Sequence, residues 1–169
     1  MEINIKMMME FHKIMYVDIE PHKIFIFLNK LQNIKKYSVP LLEHFTIEEL
    51  SNNRIGLGST FKCSGRIFGK KLDFIISTVQ WISNKKIINH SFSGLEFTLI
   101  FELDPIIDGT EIKIDLYYTL PFSWSQDIDM NLANKVINKR LNLMFNYIKR
   151  SFEYEYKNTL KTQQYAVST

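Results

Sequence analysis

Four histidines, one cysteine, eight tyrosines and a run of glycines are the residues whose types could do chemistry in this 169-residue chain. Their spacing decides which of them could act together. The stretch "NRIGLGSTFKCSGRIFGKKLDF", Asn53 to Phe74, holds Gly56, Gly58, Gly65 and Gly69 and invites comparison with a phosphate-cradling loop. A dinucleotide loop needs G-x-G-x-x-G between a strand and a helix, so that the phosphate meets a helix N-terminus. Here the third glycine is out of place and the residues that follow alternate as a strand does, with Phe61, Cys63 and Ile67 against Lys62, Ser64 and Arg66. "GRIFGKK" also lacks the Ser or Thr after the lysine that a Walker loop requires. The glycines read as turn and strand-bend residues.

His12, His22, His44 and His90 lie in four different segments without zinc-type spacing, and Cys63 has no second thiol. No metal site is expected from such a pattern. Cys63, on an apolar strand face, reads as a small buried hydrophobe rather than a nucleophile. In "KKIINHSFSG", His90 alternates with Ile88 and Phe92, which would point it inward, where an imidazole could orient a ligand oxygen or move a proton. Tyr118 shares a face with Leu116 and Leu120 and could offer its hydroxyl to the same ligand. The competing reading of both is an ordinary core residue with a satisfied polar tip.

Composition narrows the class. The chain has the length of one ordinary domain, and 46% hydrophobic with 23% charged residues suits a water-soluble fold. Thirteen Phe, eight Tyr and two Trp give 14% aromatics, a large apolar volume to pack or to line. A net charge of +3 is too small and too dispersed to imply nucleic acid. One cysteine excludes an intramolecular disulfide framework and points to a reducing, cytoplasmic setting. The longest apolar run near the start, "IFIFL" at Ile24–Leu28, is too short for a membrane span. Met1 or one of Met7–Met9 could open the chain.

The elements that must position these residues follow from periodicity. Glu10 to Asp18 reads as a strand, with Phe11, Met15 and Val17 on one face, and Pro21 opens a short apolar helix. After Pro40 the pattern is strand and turn to Leu120. Leu95, Phe97, Leu99, Phe101 and Leu103 share one face, and Ile112, Ile114, Leu116, Tyr118 and Leu120 another. Beyond "LPFS" the period becomes helical. Ser123 with Gln126 fits a capping box, and Ala133, Ile137, Leu141, Met144, Ile148 and Phe152 form a stripe running to about Lys157. Residues 1–9 are expected to be an extension, 10–158 the domain and 159–169 a flexible tail.

This order resembles the helix-grip fold of the superfamily joining START domains, birch-pollen allergens and polyketide cyclases (SRPBCC). The likeness rests on "DIEPHKIFIFLNKLQNIKKYS", on "GLGSTF", on "DGTEIKIDLYYTLP" and on the final helix ending "NYIKRSFE". It implies an α+β fold: a curved antiparallel sheet of about seven strands around a long C-terminal helix, with two short helices between strands 1 and 2. It also implies an internal cavity for a lipid, isoprenoid or polyketide-like molecule. The expected lining is Phe61, Cys63, Phe74, His90, Phe97, Leu99, Phe101, Ile114, Leu116 and Tyr118 from the sheet, with Leu141, Met144 and Ile148 from the helix. No catalytic set, metal or cofactor is implied, and binding or transport is expected rather than turnover. The expected partner is a hydrophobic small molecule, with no nucleic acid, no stable membrane insertion, and a monomer or weak homodimer. A polyketide cyclase or aromatase, and a partner-binding module of quinone-binding or ribosome-associated type, are the alternatives.

Overall fold

The structure, a computed structural model, describes residues 7–51 and 55–167, with residues 159–167 described by their backbone alone. Strand β1 (Met8–Val17) leads into helices α1 (Pro21–Leu28) and α2 (Leu31–Ser38). Six strands follow: β2 (Glu43–Glu49), β3 (Thr60–Ile67), β4 (Lys70–Ile82), β5 (Lys86–Ser93), β6 (Glu96–Ile106) and β7 (Gly109–Thr119). A 3-10 turn at Phe122–Gln126 then precedes helix α3 (Met130–Val167). The strands form one antiparallel sheet in the order β1-β7-β6-β5-β4-β3-β2, so β1 closes onto the last strand while α1 and α2 carry the chain to the opposite edge.

The architecture is the one the alternation implied, with differences at its boundaries. β1 starts at Met8, and Met9 is buried in phase with Phe11, Met15 and Val17. These two methionines therefore belong to the sheet rather than to an extension, whose first six residues lie outside the described ones. At the other end the α3 backbone continues past Lys157 to Val167, and the side chains of the expected tail lie outside the described residues. The helix is also capped later than "S-W-S-Q" suggests. Asp129 Oδ1 accepts the backbone N–H of Asn131 at 2.8 Å and of Leu132 at 3.1 Å, while Ser123 lies inside the 3-10 turn. A carboxylate satisfies orphan N–H donors and favours the positive end of the helix dipole, so Asp129 wins the cap.

α3 lies against the concave face of the sheet because its apolar stripe has nowhere drier to go. Ala133, Ile137, Leu141, Met144, Ile148 and Phe152 are all buried, joined by the fully buried Phe145. Phe145 stacks on Phe11 of β1 at 5.6 Å and meets Phe101 of β6 edge-on at 6.2 Å, and Phe152 meets Phe27 of α1 at 4.4 Å. Bulges bend the strands around this helix: one at His44–Phe45 in β2, one at Val79 in β4 and one at Phe92 in β5.

The glycines behave as turn and bend residues. Phe68 and Gly69 both have positive φ and close the β3–β4 hairpin, while Gly65 sits in β3 where a Cβ would come within 3.0 Å of Leu42 Cβ. At Gly109 φ is +141°, and an added Cβ would stand 2.0 Å from the Val17 carbonyl oxygen. Gly109→Ala therefore combines backbone strain with a clash against β1, and should lower Tm by roughly 4–8 °C, about 2 kcal/mol or more. Gly69→Ala, at φ +73° but with open space around it, should cost less than half of that. Thermal melts of the two variants check the order.

The β1–β7 pairing also carries a pH-sensitive contact. His12 faces Asp115 across the register, with Nδ1 2.6 Å from a carboxylate oxygen, and Nε2 lies 3.4 Å from Glu10. The Asp115 hydrogen bond raises the imidazole above its ordinary value of 6.5, against a lowering by desolvation. The pair's contribution is fully present below the unfolded value and is lost as pH rises through the raised folded one. In an NMR titration Asp115→Asn should move the His12 midpoint back down toward 6.5; an unchanged midpoint would contradict the contact.

Candidate functional site

Between the concave sheet face and α3 lies a cavity of about 160 Å³. Its position follows from how burial varies along single strands. On the inner face of β6, Leu103 is closed off and Phe101, though buried, reaches the cavity edge, whereas Phe97 and Leu99, with Leu95 just before the strand, are only partly buried. On β7, Ile112 and Ile114 are sealed beneath the core, and Leu116, Tyr118 and Leu120 border the cavity. The space thus occupies the end of the sheet that faces Ile137, Leu141, Met144 and Phe145 of α3, and the other end is filled by α1 and by Trp81, which meets Phe25 at 4.8 Å.

Of the residues expected to line it, Phe61, Phe74, Phe97, Leu99, Phe101, Leu116, Tyr118, Leu141 and Met144 do so. Ile114, Ile148 and Cys63 do not: all three are fully buried in the packed core. Cys63 is closed in on β3, and burial pushes its thiol up to about 12, so it is a neutral hydrophobe near pH 7.

His90 is on the other face. The inner positions of β5 are Ile87, Asn89 and Ser91, so His90 points out of the sheet, with its ring 3.9 Å from that of the exposed Phe92 and Nδ1 2.6 Å from Thr98 Oγ1. The alternation of His90 with Ile88 and Phe92 is real, but it belongs to the outer surface. Asn89 takes the inner place. Across the bulged β4–β5 ladder it pairs with Thr78, whose hydroxyl donates to Asn89 Oδ1 at 2.9 Å, and both border the cavity. With its oxygen so engaged, the Asn89 amide nitrogen keeps its donors for another group.

The second polar point is Tyr118, whose hydroxyl donates to Asn134 Oδ1 of α3 at 2.9 Å. Burial pushes the Tyr118 phenol up to about 12 and raises that of Tyr37, another lining residue, so both remain protonated at neutral pH. α2 was not foreseen as part of the wall. It contributes Ile34, Tyr37 and Ser38, with Leu41 and Leu42 beyond it, at a three-to-four spacing that the sequence does display. Phe45 and Ile47 of β2 and Ile55 complete that side, Phe45 being brought into phase by the bulge beside His44. Among the described residues no three His, Cys, Asp or Glu side chains are grouped to hold a metal ion. Among them also, no helix is long and apolar enough to cross a membrane.

No protein-family model matches the sequence, and no curated protein matches it significantly. Solved structures do match. TTHA0849 from Thermus thermophilus is similar over 87% of this chain and 99% of its own, at 16% identity and a TM-score of 0.69. The di-domain ARO/CYC StfQ from the steffimycin biosynthetic pathway matches over 89% of this chain and 52% of its own, at 12% identity and a TM-score of 0.64. Ara h 8.0201 matches over 83% of this chain and 97% of its own, at 17% identity and a TM-score of 0.53. At such identities the likeness is one of fold, the helix-grip fold.

Cys63, outside the cavity lining, gives a direct check on the packed core beside β3. A thiol that is fully buried and held protonated should resist alkylation by iodoacetamide in the native protein at pH 8 and react only after denaturation. Stoichiometric labelling within minutes under native conditions would show that β3 is open there.

Proposed function

We propose that this protein binds a small apolar molecule of about one or two rings, such as a polyketide- or isoprenoid-derived compound, in the cavity between sheet and α3. The observation that carries the reading is the void itself. A pocket of about 160 Å³ that is only partly closed leaves a mostly apolar wall against water, and covering such a wall is worth about 25 cal/mol per Å². An occupant would provide that cover. The lining is apolar except for a few polar tips, and a volume near 150 Å³ with aliphatic and aromatic walls accepts a benzene-sized ring. A long acyl chain would require the cavity to widen.

The polar tips suit orientation better than chemistry. General acid–base work near neutrality calls for a group whose pKa lies near the operating pH. The titratable side chains on this wall are Tyr37 and Tyr118, and burial shifts both away from neutrality. The likeness to an ARO/CYC protein is the argument for an enzymatic reading, and it supplies the fold without a proton-transferring pair at this site.

The test is thermal stabilisation by ring-sized probes. Naphthalene and 1-naphthol should each raise Tm saturably, since a ligand at 100 times its Kd adds about 2.7 kcal/mol. Leu99→Trp, which fills the cavity, should remove the effect. Asn89→Leu should weaken 1-naphthol by about fivefold, the net value of one hydrogen bond near 1 kcal/mol, and leave naphthalene nearly unchanged. No saturable shift with either probe would sink the binding reading. Conversion of a bound polyketide analogue by the wild type would replace it with the cyclase one.

A further inference from the structure

α3 has a second face, turned away from the sheet, whose composition is not that of an ordinary solvated surface. Leu132, Leu143, Tyr147 and Tyr154 are 59%, 53%, 42% and 71% exposed and recur in line at helical spacing. Lys139 and Arg150 sit in the same line, also exposed, and Lys157 extends it. The row from Leu132 to Tyr154 is about 33 Å long at 1.5 Å per residue. The acid nearest this row is Glu153, which flanks it three residues beyond Arg150 and four before Lys157, while Glu155 lies on another face. Arg140, on the flank, is paired with Glu43 at 3.5 Å, whereas Lys139 and Arg150 have no acidic partner among the described residues.

We propose that this face docks on an anionic lipid surface, with α3 lying in the plane of the interface. Aliphatic and tyrosine side chains in register with unpaired cations are what such an interface accepts: the rings and Leu side chains enter the headgroup boundary while Lys and Arg reach lipid phosphates. Self-association is disfavoured by the charges. A parallel pairing sets each cation against its own copy, and an antiparallel one centred between Met144 and Phe145 sets Lys139 against Arg150, with only the flanking Glu153 to offset either. Nucleic acid could use the cations but would leave Leu132 and Leu143 without an apolar partner. The inference is independent of what occupies the cavity, which lies on the opposite side of the helix.

Co-sedimentation with vesicles tests it. The wild type should bind vesicles of phosphatidylcholine mixed with phosphatidylglycerol, and bind pure phosphatidylcholine only weakly. Lys139→Gln with Arg150→Gln should weaken binding about 25-fold, at roughly fivefold per cation. Leu143→Ser with Tyr147→Ser should weaken it about tenfold with the net charge unchanged. All four positions are exposed, so both variants should melt within about 2 °C of wild type. Lack of sedimentation with the mixed vesicles, or equal binding to neutral and anionic ones, overturns the proposal. So does tight binding of an oligonucleotide that ignores the Leu143/Tyr147 pair, or a dimer in sedimentation velocity that this pair abolishes.

Discussion

The burial of one helical stripe against a bent sheet is the constraint on which the rest of this structure depends. Phe145, fully buried, touches rings from both β1 and β6, and so ties the first strand and the middle of the sheet to the same helix. A flat sheet could touch a cylinder along one line only. The bulges in β2, β4 and β5 let the strands wrap it instead, at the cost of a few ladder hydrogen bonds. The fit is close at the end filled by α1 and Trp81 and incomplete where α2, β2 and the first half of α3 diverge. The cavity is therefore the residue of fitting a curved sheet to a straight rod.

Much of the fold was legible because its strongest signals are local. Strict alternation in β6 and β7 fixes both strands and their inner faces, and the change of period after Leu120 announces α3. Boundaries were less visible. Two side chains near the start of α3 could have capped it, and Asp129 rather than Ser123 does so because only its carboxylate reaches free N–H groups there. Met8 and Met9 looked like a lead-in because their partners, Thr119 and Tyr118, lie more than a hundred residues away.

The candidate site was legible on the strands of regular register and illegible where register slips. Both faces of "KIINHSF" carry apolar residues, so alternation alone does not say whether His90 or Asn89 looks inward. The answer comes from cross-strand partners, Thr78 opposite Asn89 and Thr98 opposite His90, and those depend on the bulges at Val79 and Phe92. One residue of phase separates a titratable imidazole in the cavity from a neutral amide, and with it a catalytic reading from a binding one. The wall supplied by α2 was missed for another reason: an eight-residue helix with a mostly polar surface gives a weak periodic signal, although its few apolar positions do recur at the right spacing.

The closure of β1 onto β7 has a consequence in time as well as in space. β2 to β7 each meet a neighbour close in sequence, so these hairpins can form as the chain is made. β1 pairs at a separation exemplified by His12 and Asp115, 103 residues apart. At synthesis rates of roughly 5–20 residues per second the N-terminal strand waits about 5–20 s for its partner to exist, and longer for α3. Throughout that interval Met9, Phe11, Met15 and Val17 are an uncovered apolar edge on the nascent chain. The topology that gives the finished protein its grip thus makes its first strand the part most in need of protection on the ribosome.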